Sequence, residues 1–370
     1  MSELYAGLMS GTSMDGIDAA LVEFDGTDMK LIASHSHSIP DTLKEKLSLL
    51  SLNDKKSSID MLGEADTELG QLLADATNQL LSIANIKAEQ VSGIGSHGQT
   101  IRHRPDAKNR FTMQIGDANQ ISYLTGITTV ADFRRKDMAA NGEGAPLAPA
   151  FHQQVFYSKS ENRAVLNIGG ISNLTYLPKD KNQDCFGFDC GPGNILMDAW
   201  IRLHQQKDYD DNGNWSASTK PSENLVSQLM KDPFIHQAPP KSTGKEHYHL
   251  DWLSKQLAQL KPLSDSEVQA SLSQFTCDSI VHAILNNLPQ LDRLIICGGG
   301  VHNTHLMSLL KTKLPDIDID SSERHGIHPD WVEAIAFAWL AKQTLNNKPG
   351  NLPAVTGADK QLVLGAIFPV

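Results

Sequence analysis

The chain has 370 residues, past the roughly 250–300 at which a single hydrophobic core stops growing, so two domains are expected. Hydrophobic residues at 40% and charged residues at 20% are ordinary for a globular protein and exclude a disordered or fibrous chain. The net charge of -11 arises from dispersed acids with no basic stripe, and no stretch nears the ~20 apolar residues that span a bilayer, which argues against nucleic-acid and membrane partners.

Residues 4–9 read as a buried strand, Ile17 to Phe24 as its return, and Leu31 to Ile39 as a third strand that Pro40 ends. Between the first two lies a glycine turn, Gly11, Thr12, Ser13, Met14, Asp15 and Gly16. Glycine lets a backbone close on phosphate oxygens, the hydroxyls of Ser10, Thr12 and Ser13 add donors, and Asp15 is placed to hold magnesium through water. Apolar residues at Leu62, Leu69, Leu72, Leu73, Ala76, Leu80 and Leu81 predict an amphipathic helix over about 59–83. Val91 to Gly95 reads as a short strand delivering Ser96, His97, Gly98, Gln99 and Thr100 at its C-terminal end, where open α/β sheets carry ligand loops. Arg102, His103 and Arg104, and the pair Arg134 and Arg135, are local clusters suited to gathering a small anion. The Gly- and Pro-rich stretch from Asn141 to Pro146 follows, and a domain crossover is expected between about 125 and 150.

A second hairpin begins near Arg163 and repeats the plan of the first. An apolar strand runs through Asn167, Gly169 and Gly170 into Leu174 to Leu177. Ser264 and Glu267 form a capping-box pattern opening a helix to about Leu288. That helix feeds a strand from Leu294 to Cys297 and a third glycine turn, Gly298, Gly299 and Gly300, before Asn303. A last helix from Trp331 to Thr344 precedes the apolar run Leu362 to Ile367, a candidate terminal strand. None of the turns is a P-loop, because the lysine is missing, nor a dinucleotide fingerprint, because the chain leaves the glycines as a strand. Hairpin phosphate loops holding a nucleotide between two lobes remain, against the plainer reading of ordinary glycine turns. Four cysteines, Cys185, Cys190, Cys277 and Cys297, lack a Cys-x-x-Cys pair and read as reduced buried thiols. The N-terminus has no signal-peptide pattern, so a cytoplasmic location is expected.

Four motifs carry a resemblance over essentially the whole chain: GLMSGTSMDGID at 7–18, SHGQT at 96–100, NIGGISN at 167–173 and DCGPGN at 189–194. The chain resembles the anhydro-N-acetylmuramic acid kinase family. The resemblance implies an α/β fold of two ribonuclease H-like domains, of the actin/Hsp70/sugar kinase superfamily, with ATP in an interdomain cleft. The lobes are accordingly drawn as 1–130, which the last C-terminal residues are able to join, and 131–370.

It further implies that 1,6-anhydro-N-acetylmuramic acid, ATP and water give N-acetylmuramic acid 6-phosphate and ADP, in peptidoglycan recycling, with Mg2+ as the metal and a homodimer as the usual assembly. Opening the 1,6-anhydro bridge is a glycoside hydrolysis that asks for a carboxylate base. By resemblance that base is Asp189; a turn aspartate serving its own Gly-Pro-Gly backbone is the structural alternative. The nucleotide is expected at Gly11 to Asp18, Ile17 included, at Asn167, Gly169 and Gly170, and at Gly298 to Gly300 with Asn303. The sugar is expected at His97, Gln99, Gln114, Gly116, Asp117, Asp132, Arg134 and Glu333. A lactyl carboxylate wants a guanidinium, for which Arg134 is the candidate and Arg135 the solvated alternative. Glu333 is equally open to a capping-box role with Asp330. His247 and His249 receive no metal role, a solvated loop explaining them. A kinase for an intact hexose or polyol and a nucleotide-switch ATPase on the same scaffold are the competing functions. Lobe closure around the ligands is expected by analogy.

Overall fold

A computed structural model of the chain describes residues 2–11, 14, 16–26, 28–52, 56–288 and 290–370. Contacts divide the chain into two compact units, Met1–Phe151 with Trp331–Val370, and His152–Asp330.

The first unit begins with β1 (Glu3–Ser10), β2 (Gly16–Asp25) and β3 (Asp28–Ser38), an antiparallel meander. Helices α1 (Asp41–Leu52) and α2 (Ile59–Ala84) follow, then β4 (Val91–Ser96), which pairs parallel with β1. β5 (Gln99–Arg104) and β6 (Phe111–Ile115) form a separate two-stranded hairpin. α3 (Ala118–Thr125), β7 (Thr129–Ala131) and α4 (Arg135–Ala139) complete this run, and β7 pairs parallel with β4. The chain leaves the unit within α5 (Ala148–Phe156).

In the second unit β8 (Arg163–Ile168), β9 (Ile171–Leu177) and β10 (Phe186–Pro192) form another antiparallel meander. After α6 (Ile195–Gln205), α7 (Glu223–Leu229), α8 (Leu250–Leu257) and α9 (Asp265–Asn287) comes β11 (Arg293–Cys297), parallel to β8. α10 (Thr304–Lys313) leads to β12 (Asp318–Ser321), parallel to β11. The chain then returns to the first unit as α11 (Val332–Leu345), α12 (Pro353–Thr356) and β13 (Ala366–Phe368), the last antiparallel to β7.

Both sheets therefore share one plan: third, second, first, fourth and fifth strand, with β13 added at the edge of the first. This is the ribonuclease H-like order, present once in each unit. In the first unit the buried runs of β1 and β2 reflect cover on both faces. One face packs Leu8, Ile17, Ala19 and Leu21 against Leu43, Leu47, Leu69 and Leu73 of α1 and α2. Against the sheet lies α11, whose close approach depends on bare backbone: a Cβ on Gly7 would fall on the Ala334 carbonyl oxygen, and one on Gly95 on that of Phe337. In the second unit α9 is buried among Leu196, Trp200, Leu225 and Phe234, and the Ser264–Glu267 capping box is formed in both directions.

The sequence reading placed the lobe boundary at 130 and ran the second lobe to 370. That reading also let the last C-terminal residues join the first lobe, and in the contact units they do: α11 seats on β1, β2 and β4 and carries the C-terminal 40 residues, 331–370, with it, while the units divide at 151 and 330. The terminal strand is confined to Ala366–Phe368, since Gly365 takes a left-handed φ of 83° and sets the strand's start.

Candidate active site

In the first unit, β1 and β2 position the first glycine turn. Thr12, Ser13 and Asp15 lie outside the described residues. Gly11 and Gly16 bracket them, and the Met14 amide donates to the Gly11 carbonyl at 3.1 Å. Met14 and Ile17 point into the core, so backbone is what they offer a ligand. Asp18 stands half-buried on β2.

β4 ends at Ser96 and presents His97, whose ring is buried. Its Nε2 accepts from Arg134, Nε at 3.2 Å and Nη2 at 2.9 Å. Because a guanidinium only donates, the imidazole is neutral and its proton sits on Nδ1. Burial, then the Arg134 charge, push its pKa down to about 3. Nδ1 makes no hydrogen bond of ordinary geometry among the described residues, although the Gly98 and Ser10 backbone works against the fall in pKa. Gln99, fully buried at the start of β5, accepts from the Ser10 hydroxyl at 2.6 Å through Oε1.

Arg134 also donates from Nη1 to the Gly144 carbonyl at 2.9 Å. Burial lowers its guanidinium to about 10, opposed by the charges of Glu333 and Asp137. Glu333, on the first turn of α11, keeps surface exposure, yet desolvation by the groups around it and then the Asp18 charge raise its carboxyl, while Arg134 works against both. His97, Arg134, Glu333 and Asp18 thus form one electrostatic cluster. Arg135 is solvent-exposed and pairs with Asp132 at 2.7 Å, so structure separates the two arginines that sequence left together. Asp132 itself takes a left-handed φ of 57° and is engaged by that pair.

The β5–β6 register sets Gln114 opposite Thr100, whose hydroxyl accepts from Gln114 Nε2 at 3.1 Å. Gly116 donates its N–H to Asp66 Oδ1 at 2.6 Å with φ 117°, and a Cβ there would press on Leu73 Cδ1 at 2.7 Å. Asp117 caps α3, accepting from the Asn119 amide at 2.9 Å. The described bonds of Gly116 and Asp117 tie the hairpin's exit to α2 and α3. The capping-box alternative for Glu333 is not formed: α11 has no side-chain cap, and Asp330 binds His302 at 2.8 Å.

In the second unit Asp189 lies on strand β10, where the pairing register with β9 shifts between Asp189 and Gly191. It is a strand residue rather than a turn aspartate. Its amide donates to the Lys241 carbonyl at 3.1 Å. Its Oδ2 accepts from the Ser242 hydroxyl at 3.0 Å and the Thr243 amide at 2.9 Å. Burial raises the carboxyl above its ordinary range; Thr243, Ser242 and the Lys241 charge pull it back, and Glu246 adds to the rise.

The Gly169 and Gly170 carbonyls of the β8–β9 turn accept from the amides of Gly193, Asn194 and Ile195 at 2.8–3.1 Å. A Cβ on Gly193 would fall on the Gly169 oxygen. The third glycine turn packs on the same place: Gly298, at φ 80°, abuts Asn167 Oδ1, and Gly300 abuts the Ile168 side chain. Asn303 caps α10, accepting from the Leu306 amide at 3.0 Å. Asp189's motif, the second hairpin turn and the third glycine loop are therefore neighbours within one unit. His247 pairs with Asp232 at 2.7 Å and His249 caps α8.

Comparison with known proteins now bears on this arrangement. The family model described as anhydro-N-acetylmuramic acid kinase matches residues 3–370. The anhydro-N-acetylmuramic acid kinase of Coxiella burnetii (strain RSA 493 / Nine Mile phase I) is 51% identical over 366 residues, 99% of this chain and 97% of that protein. That of Xylella fastidiosa (strain Temecula1 / ATCC 700964) is 49% identical over 369 residues, covering 99% and 96%. The chain belongs to the anhydro-N-acetylmuramic acid kinase family. A solved ROK family glucokinase from Streptomyces griseus, in complex with glucose and AMPPNP, aligns over 92% of this chain and 99% of its own at 11% identity, with a TM-score of 0.40.

Residues that the sequence did not flag surround the candidate site. Lys241, Ser242 and Thr243 grip Asp189, and the signal for them was a Pro239-Pro240-Lys241-Ser242-Thr243-Gly244 run, a loop rich in turn formers and hydroxyl donors. Gly144, which holds Arg134, lay inside the noted Gly- and Pro-rich stretch without a partner to reveal its use. Among the described residues no helix is long and apolar enough to cross a membrane, and no group of three or more His, Cys, Asp or Glu side chains is placed to hold a metal.

Proposed function

We propose that the chain hydrolytically opens the 1,6-anhydro ring of 1,6-anhydro-N-acetylmuramic acid and phosphorylates O6 with ATP, giving N-acetylmuramic acid 6-phosphate and ADP in cell-wall recycling. The observation that carries this reading is Asp189, a carboxylate in a partly desolvated site whose two described hydrogen bonds both fall on Oδ2. Oδ1 is then the oxygen assigned to the proton of water. Water oxygen bonds to the anomeric carbon, its proton passes to Asp189, the bond from that carbon to O6 breaks, and O6 takes the γ-phosphoryl group as ADP departs. Burial holds the carboxyl's pKa above the ordinary carboxylate range, which makes it a better proton acceptor once ionised.

Arg134 is assigned the lactyl carboxylate and His97, through Nδ1–H, a sugar oxygen. Gln99, Gln114, Gly116, Asp117, Asp132 and Glu333 complete the proposed sugar contacts, Asp132 after release from Arg135. The nucleotide is assigned to the backbones of Gly11 to Asp18, Gly169 and Gly170, to Asn167, and to Gly298 to Gly300 with Asn303. Magnesium accompanies ATP in this reading and neutralises phosphate charge; it needs only one or two carboxylates beside phosphate oxygens and water, and Asp18 and Asp15 are the acids assigned to it. A cytoplasmic homodimer is proposed on the family resemblance.

The test is mass spectrometry of products from the sugar and Mg-ATP in 18O-labelled water, with Asp189→Asn alongside. The expected product is a 6-phosphate with one labelled oxygen at C1, formed at least ~10³-fold more slowly by the variant. ADP without a phosphosugar, or phosphorylation of intact hexoses in its place, overturns the reading.

A further inference from the structure

Asp137 is fully buried in α4, one turn after Arg134, and its carboxylate is shared among three donors. Oδ2 accepts from the Gly144 amide at 2.9 Å. Oδ1 accepts from Asn351 Nδ2 at 2.7 Å and from the Thr356 hydroxyl at 2.8 Å. The Asp137 backbone carbonyl accepts from the Gly142 amide at 3.0 Å, and a Cβ on Gly142 would fall on Oδ2, so the turn is folded directly over this side chain. Gly144 is held from its other end as well. Its carbonyl accepts from Arg134 Nη1 at 2.9 Å, while the rest of that guanidinium faces His97. At φ 74° Gly144 takes a left-handed conformation, and a Cβ there would crowd Met138 Cγ at 2.8 Å. Asn351 is in turn fixed by accepting the Leu362 amide at 2.7 Å.

We infer that Asp137 is a positioning residue: it locks Gly144 so that the Gly144 carbonyl and His97 together aim Arg134 at the carboxylate that distinguishes this sugar. The physical argument is one of satisfiability. Arg134 has five N–H donors, and unless two edges are fixed by acceptors of the protein its fork is free to rotate away from a ligand. Gly144 supplies one fixed acceptor only while its own loop is pinned, and Asp137 is the group that pins it. The C-terminal segment that carries Asn351 and Thr356 thereby becomes part of the sugar site without touching sugar. This inference rests on the assignment of Arg134 to the lactyl carboxylate.

The test is a double-mutant cycle of Asp137→Asn and Arg134→Met, with kcat and KM for 1,6-anhydro-N-acetylmuramic acid, for the lactyl-free 1,6-anhydro-N-acetylglucosamine and for ATP. An amide at 137 sets a donor against one of the three donors, so kcat/KM for the lactyl sugar is expected to fall about ten-fold or more, mainly through KM. The KM for ATP should stay within about two-fold, and preference for the lactyl sugar should shrink. In the Arg134→Met background the same change should cost under about two-fold, because the group it positions is gone. Equal losses in both backgrounds overturn the inference while leaving Arg134's role intact. Undiminished preference in Arg134→Met overturns that role and the inference together. Should Asp137→Asn not fold, Thr356→Val, which removes one bond to Oδ1, runs the same cycle with the same two readings.

Discussion

At the residue scale the candidate site is governed by which partners each desolvated charge finds. Asp189 is desolvated by its strand and loop, yet hydrogen bonds from Ser242 and Thr243 and the nearby Lys241 charge keep its ionised form accessible. Lys241 is itself buried, with its ammonium donating to the Phe234 and Ile235 carbonyls at 3.0 Å. A prediction follows for Ser242→Ala, whose side chain is exposed and so removable without a cavity. Loss of that donor raises the Asp189 carboxyl further, and a base must be ionised to work. The acid limb of the kcat/KM profile should therefore move to higher pH, with the plateau above it changed by less than about ten-fold. A limb that stays in place would detach it from Asp189. The sequence named Asp189 and Arg134, but could not say that Arg135 is spent on Asp132, because adjacent arginines are told apart only by which way the chain turns.

Elements carry the argument next. Two helices and two hairpins were legible: α2 by periodicity, over Ile59–Ala84 against an expected 59–83, α9 by its capping box, and the β1–β2 and β8–β9 hairpins by their glycine turns. Others were not. β5 and β6 are short, partly exposed strands whose alternation is weak, and β10 was hidden because its functional motif reads like a turn. The seating of α11 is the element-scale feature with most consequence. It reaches the sheet only because Gly7 and Gly95 carry no side chain, and it brings Glu333 to the cluster with Asp18 and Arg134. Gly95→Ala forces a methyl onto the Phe337 carbonyl and is expected to lower unfolding free energy by about 1–3 kcal/mol, read from chemical denaturation. A variant within about 0.5 kcal/mol of wild type would mean that α11 does not depend on that contact.

At the scale of the whole molecule, acid sensitivity is built into both units. His97 in the first and His152 in the second are buried and pushed down to about 3 from an ordinary 6.5. Between those values the unfolded chain binds protons that the folded chain refuses, so stability is full above 6.5 and is lost as pH falls toward 3. Urea midpoints at pH 7 and pH 5 should fall more in wild type than in His152→Asn, which keeps a partner for the Thr175 hydroxyl and removes the proton site; equal falls would discount His152. By itself the sequence determined the class of fold, its duplicated hairpins and the family, since glycine turns, hydrophobic periods and motifs are local properties of a chain. It also named Asp189, because a motif travels with its residue. What tertiary structure decided was company: that 331–370 joins 1–151, that Ser242 and Thr243 hold Asp189, and that Asp137 holds the loop on which Arg134 rests. The hydrogen-bonded pairings among them join residues 7 to 54 positions apart, and their energies come from burial and hydrogen-bond satisfaction that exist only once the sheet has brought the partners together.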